Sequence, residues 1–149
     1  MKIVIGSDHA GWALKADVMA HIKQLGHDVV DVGSHGPAPV DFPDIARALT
    51  QKVLAGEAER GVMVCGTGVG AAIAANKVRG IRAAVCHDVH SAHQSVEHDD
   101  VNVMCIGAQI VGPWLANDLV ASFLSAQFED SEDYRRRVDK LHQMDAAFK

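Results

Sequence analysis

The residue types best suited to chemistry stand together in Cys65-Gly66-Thr67-Gly68-Val69-Gly70, directly after the apolar run Val62-Met63-Val64. A strand that ends at Cys65 delivers its sulfur to the rim of a sheet. Gly66, Gly68 and Gly70 let the backbone turn where side chains would hinder it. The amide N–H groups that open the following helix then form a cradle for negative charge. The same helix end favours a thiolate at Cys65, and Thr67 adds a hydroxyl. The set reads as a base or nucleophile beside an anion hole. A cysteine merely buried at a strand end is the bland alternative, and the adjacent threonine and glycines weigh against it. Cys86 and Cys105 have no such neighbours and read as core residues.

Other readings of this loop are weaker. Gly66-x-Gly68-x-x-Ala71 imitates a dinucleotide fingerprint but follows the third strand instead of the first. The Lys-Ser/Thr ending of an ATP-type phosphate loop is absent. Ala71 and Ala72 stand where a cysteine phosphatase needs an arginine. No close Cys-x-x-Cys pair suggests zinc, and of His87, Asp88, His90 and His93 three share a helix face only loosely. No metal and no organic cofactor is expected.

Several groups can work with Cys65. Asp8-His9 follows the first strand and can hold a sugar hydroxyl and an anion, unless Asp8 simply caps the next helix. His98 can act as a general acid or base, or sit on the surface as an ordinary histidine. Asp41 can line the pocket from the loop after the second strand. His87 stands evenly between site and structure, and His35 reads as solvent-facing. A carbon acid beside a carbonyl suits this set. Cys65 would remove the proton, Thr67 and the Gly68–Gly70 amides would hold the oxyanion, and reprotonation on the neighbouring carbon would complete an isomerisation. A ring-closed sugar would first need opening, by a pair such as His98 and Asp8.

The elements that position these residues follow from periodicity. Strands are expected at 2–6, 27–32, 60–65, 81–86 and 102–106, as short β-branched runs suited to burial on both faces. Helices are expected at 11–24, 42–55, 68–78, 88–97 and 112–125, with Pro43 and Pro113 in first turns. Five β-α units with short connections predict an α/β fold, a doubly wound, Rossmann-like, five-stranded parallel sheet with right-handed crossovers. A site then lies outside the C-terminal strand ends. Residues 129–149 differ in texture. Charged residues dominate, yet Val138, Leu141, Met144 and Phe148 leave a partial helical stripe. This segment is either a solvated terminal helix or, the favoured reading, an arm packed on a second subunit.

The chain of 149 residues is one domain's worth, and its formal charge of -5 disfavours nonspecific nucleic-acid binding. No stretch approaches the roughly 20 apolar residues of a membrane helix. Three cysteines form no disulfide framework, and no secretory leader precedes Lys2-Ile3-Val4, so a cytoplasmic location is expected.

Gly6-Ser7-Asp8-His9-Ala10-Gly11, the Cys65–Gly70 loop with Ala74-Ala75-Asn76-Lys77, Gly80-Ile81-Arg82-Ala83, His98-Asp99-Asp100-Val101-Asn102-Val103 and Arg137-Val138 together carry a resemblance. The sequence is similar, over essentially its whole length, to the ribose-5-phosphate isomerase B family, which includes galactose-6-phosphate isomerase subunits. The resemblance implies reversible aldose–ketose isomerisation of a sugar phosphate, with ribose 5-phosphate and ribulose 5-phosphate as the leading pair. It implies a homodimer or homotetramer with shared active sites and no cofactor. It casts Cys65 as the proton carrier, with Thr67 and the amides of Gly66, Gly68, Val69 and Gly70 around the enediolate. His98, assisted by Asp8, is associated with ring opening. Asp99 adds acidity beside it, His9 matches a phosphate contact, and Arg137 matches an arginine donated by a neighbouring subunit. Two family features differ. Gly107-Ala108-Gln109 replaces a usual Gly-Ser-Arg, and Ser131-Glu132-Asp133-Tyr134 stands where a second arginine is usual. The alternatives are a different or unphosphorylated sugar, or a noncatalytic sugar-binding subunit.

Overall fold

Alternation along the apolar runs sets the architecture in the computed structural model, which describes residues 1–147. The strands are β1 (Lys2–Ser7), β2 (Asp28–Asp31), β3 (Arg60–Cys65), β4 (Ala83–Val85) and β5 (Val103–Gly107). They form one sheet in the order β2-β1-β3-β5-β4, and every neighbouring pair is parallel. Ile3, Ile5, Val62, Val64, Met104 and Ile106 point to one face. Val4, Met63, Cys65, Val103 and Cys105 point to the other. A strand buried on both faces needs such an unbroken run.

Helices α1 (Trp12–Gln24), α4 (Val89–Asp99) and α5 (Pro113–Ser125) cover the first face through Val18, Ile22, Val96, Leu119 and Phe123. Helices α2 (Phe42–Leu54) and α3 (Val69–Asn76) cover the second through Leu49, Ala71 and Ala75. Each fully buried Leu, Ile or Phe stabilises by about 1.5–3 kcal/mol, against 0–1 kcal/mol for an exposed ion pair such as Arg136–Asp133. The two apolar layers therefore fix the sheet, and the surface charges do not.

Two elements differ from expectation. Strand β4 is shorter than 81–86, because Ile81 closes a turn onto the Val78 carbonyl and the Arg82 amide donates to Asn102 Oδ1. The outer edge of β4 is closed by a side chain: Asn76 Nδ2 donates to the Ala83 carbonyl and Asn76 Oδ1 accepts the Ala83 N–H, both at 2.8 Å. Helix α3 stops at Asn76 and does not reach Val78.

The charged C-terminal segment is helix α6 (Glu132–Ala147). Val138 is its buried residue, while Leu141 and Met144 stay exposed. Phe148 lies outside the described residues. Polar contacts tie the helix to its own chain: Asp145 accepts the Gly80 N–H at 2.5 Å, and Arg82 meets His142 Nε2 at 2.9 Å. No helix among the described residues is long and apolar enough to cross a membrane.

Candidate active site

Strand β3 brings Cys65 to the C-terminal rim with 7% of its surface exposed. The loop that follows is stapled to the end of β5, since Ala108 N–H donates to the Cys65 carbonyl (2.8 Å) and Gln109 N–H to the Gly66 carbonyl (2.9 Å). Two glycines permit this crossing. Gly68 is left-handed, at φ 80°, and a Cβ on it would sit 3.2 Å from the Ile106 carbonyl carbon. A Cβ on Gly107 would come within 2.6 Å of Thr67 Cα.

The first helical bond of α3 runs from Ala72 N–H to the Gly68 carbonyl at 3.0 Å. The N–H groups of Val69, Gly70 and Ala71 therefore precede the helical ladder. That of Val69 reaches Thr67 Oγ1 at 3.4 Å. Thr67 and Val69 are exposed, and the Phe42 ring packs over Gly70.

Asp8 holds the turn into α1, close to the structural role considered for it, and makes a second contact at the rim. One carboxylate oxygen accepts the Gly11 N–H at 2.9 Å, which fixes the turn into α1. The other lies 3.4 Å from Cys65 Sγ and accepts the thiol hydrogen. Both residues are buried. His9 is exposed, and its Nδ1 accepts the Val40 N–H at 3.2 Å. That bond brings the loop before α2 against the rim, with Asp41 exposed at the start of the helix. His87 has a bracing role: its Nε2 accepts the Gly107 N–H at 2.9 Å, which requires that nitrogen to be unprotonated. His35 is exposed, as read.

The remaining candidates lie elsewhere. His98 and Asp99 end α4, and α4 returns to the N-terminal ends of the strands. Gly61 pairs with Val103, and Cys65 with Gly107. The length of β5, roughly 13 Å at about 3.3 Å per residue, thus separates the two ends. Within one chain His98 does not meet Asp8, and the ring-opening pair is not assembled. At this far corner the His98 ring stacks on Tyr134, with centroids 4.2 Å apart and planes 15° from parallel. The Arg137 guanidinium lies 5.6 Å from the Tyr134 ring centroid. Asp99 borders a cavity of about 460 Å³ beneath α6, shared with Arg82, Leu141 and His142.

Burial pushes the Cys86 thiol up and the Cys105 thiol up further, so both keep their protons through the neutral range. Among the described residues no three His, Cys, Asp or Glu side chains converge to hold a metal ion.

The profile of the family described as Ribose/Galactose Isomerase matches residues 3–141. The chain belongs to this family. Ribose-5-phosphate isomerase B of Escherichia coli is 42% identical over 140 residues, covering 94% of this chain and 93% of that one. D-erythrulose-4-phosphate isomerase 2 of Mycolicibacterium smegmatis is 40% identical over 145 residues, covering 95% of each. The solved structure of Clostridium thermocellum ribose-5-phosphate isomerase B matches with a TM-score of 0.97 and 43% identity over the whole of both chains. In this ribose/galactose isomerase family member, three contacts at the site escaped the sequence reading. Phe42 over Gly70 and Gln109 over Gly66 depend on which elements become neighbours. Tyr134 carried a usable signal, since it stands one helical turn before Arg137 and Val138.

Proposed function

We propose that the protein is an aldose–ketose isomerase that interconverts ribose 5-phosphate and ribulose 5-phosphate through an enediolate, without a metal or organic cofactor. The observation that carries this reading is the Cys65 thiol 3.4 Å from the Asp8 carboxylate, beside the open amides of α3. Asp8 takes the thiol proton. The thiolate removes the proton from C2 of the open-chain aldose, the hydroxyl proton on O2 passes to O1 in the enediolate, and the same thiol returns its proton to C1, leaving the carbonyl at C2. Thr67 Oγ1 and the α3 amides stabilise the negative oxygen that develops between these steps. His9 faces the phosphate. His98, Asp99 and Arg137 reach the Cys65 rim from a second copy of the chain, so that ring opening and phosphate charge are handled across a dimer interface. Family membership supports the sugar-isomerase class, and the 42% identity with ribose-5-phosphate isomerase B supports the pentose phosphate.

A second reading keeps the chemistry and changes the sugar. The 40% identity with a D-erythrulose-4-phosphate isomerase favours a tetrose phosphate almost equally. Steady-state kinetics on ribose 5-phosphate, erythrulose 4-phosphate, free pentoses and free hexoses decide between them. Ribose 5-phosphate is expected to give the highest kcat/KM. Turnover no better than that of free sugars would sink the leading reading. Cys65→Ala is expected to lower kcat roughly 10²–10⁴-fold with folding intact.

A further inference from the structure

Strand β5 runs further toward the rim than the strand on its outer side. Its pairing with β3 continues to Cys65 and Gly107, whereas its pairing with β4 ends at Val85 and Cys105. The Cys86 N–H still reaches the Cys105 carbonyl at 3.2 Å, so Cys105 turns its backbone toward β4. Gly107, two residues on, turns its N–H the same way, where β4 no longer pairs. His87 receives it there: its Nε2 accepts that N–H at 2.9 Å, and Gly107 is buried. A buried N–H without an acceptor is costly. The imidazole thus finishes the outer edge of β5 in place of a strand.

Gly107 is also where β5 meets the reacting loop. A Cβ on it would lie 2.6 Å from Thr67 Cα, 2.7 Å from the Thr67 carbonyl carbon and 2.8 Å from the Gly66 carbonyl oxygen. At such distances nothing stands between the two backbones, and a shift of Gly107 passes directly to Thr67. From the inner side, the Ala108 and Gln109 N–H groups hold the Cys65 and Gly66 carbonyls. The end of β5 is therefore clamped between the loop on one side and His87 on the other.

We propose that His87 is a positioning residue for the isomerase: by holding the Gly107 N–H it fixes Thr67, and with it the start of the oxyanion cradle, against the carbon whose proton Cys65 moves. The proposal rests on the isomerase reading and adds to it a residue that acts through another. Small misplacements at a reacting centre cost up to about 10²-fold in rate. A group that only sets this geometry acts on kcat, whereas a plain binding contact acts on KM.

The test is steady-state kinetics of the full-length protein and its His87→Gln, His87→Asn and His87→Leu variants, on whichever sugar of the panel the wild type turns over best. Thermal unfolding is the control for folding, and hydrogen exchange of the Gly107 amide, followed by NMR, reads the bond itself. Glutamine carries its Oε1 as many bonds from the backbone as histidine carries Nε2. Asparagine keeps an acceptor that falls short, and leucine fills the space without one. The Asn and Leu variants are expected to lose roughly 10–100-fold in kcat with KM changed less than about threefold, and to exchange the Gly107 amide faster. The Gln variant is expected to protect that amide and to keep kcat within about threefold of wild type. Wild-type kcat in the Asn and Leu variants would overturn the proposal. So would a Gln variant as slow as Leu despite a protected amide, or a loss confined to KM. If the Leu variant does not fold, the Gln and Asn pair decides by the same outcomes. All of these results leave the isomerase reading standing. A wild type that turns over none of the sugars would instead bring down that reading and this proposal together.

Discussion

The two ends of the β3–β5 pair present opposite kinds of surface. At the C-terminal end, Cys65, Asp8, Thr67 and the first amides of α3 are brought together by backbone geometry, glycine by glycine. At the N-terminal end, His98, Tyr134 and Arg137 are brought together by side-chain stacking between α4 and α6. The first set pairs a thiol with a carboxylate, and the imidazoles of His9 and His87 are the basic side chains nearby among the described residues. The second has an imidazole, a guanidinium and the Glu97 carboxylate but no thiol. What the contrast teaches is that glycine-built backbone turns and side-chain stacking place polar groups at opposite ends of the same strands, and the proposed function requires a second copy of the chain to bring the two ends together.

The division is open to a direct attack. Cys65→Ala and His98→Asn are each expected to be nearly inactive alone. Mixed after reversible dissociation, they should regain about a quarter of wild-type activity, because half of the dimers are then hybrids with one intact site in two. Hybrid dimers seen by native mass spectrometry without any recovered turnover would place the whole site in one chain. A smaller effect sharpens the rim alone. Gly107→Ala forces a Cβ to within 2.6 Å of Thr67 Cα, so it should cost about 1–3 kcal/mol in urea unfolding and move the loop, while His98 stays where it is. The smallest effect belongs to the far corner. Tyr134→Leu removes the ring stack and should cost about 0.5–1.5 kcal/mol. If sites are shared, it also lowers turnover without changing the reactivity of Cys65 toward a small alkylating agent. Equal turnover in this variant would show that the stack has no part in the chemistry.

Much of this was legible from residue order. The β-branched runs could only be buried strands, and three glycines after Cys65 could only be a tight turn. Strand order was not legible. The placement of β5 between β3 and β4 depends on how crossovers pack, and that placement alone sets Gln109 over Gly66. Strand β4 came out short for a related reason. It lies at the sheet edge, where turn bonds at Ile81 and Arg82 outcompete a single ladder. The location of His98 could have been deduced. In a parallel β-α repeat, the end of every helix lies opposite the end of every strand, and His98 stands at a helix end while Cys65 stands at a strand end.

Asn76 deserves a last consequence. Its carboxamide occupies both backbone groups of Ala83 on the outside of β4, and so imitates one residue of a sixth strand. An open strand edge is a template for sticking to other chains, and proteins blunt such edges by many devices. Here the device is one side chain at the end of the helix that follows the Cys65–Gly70 loop. The segment that begins at Gly68 thus ends, eight residues later, with its last side chain occupying the backbone groups of an outer strand.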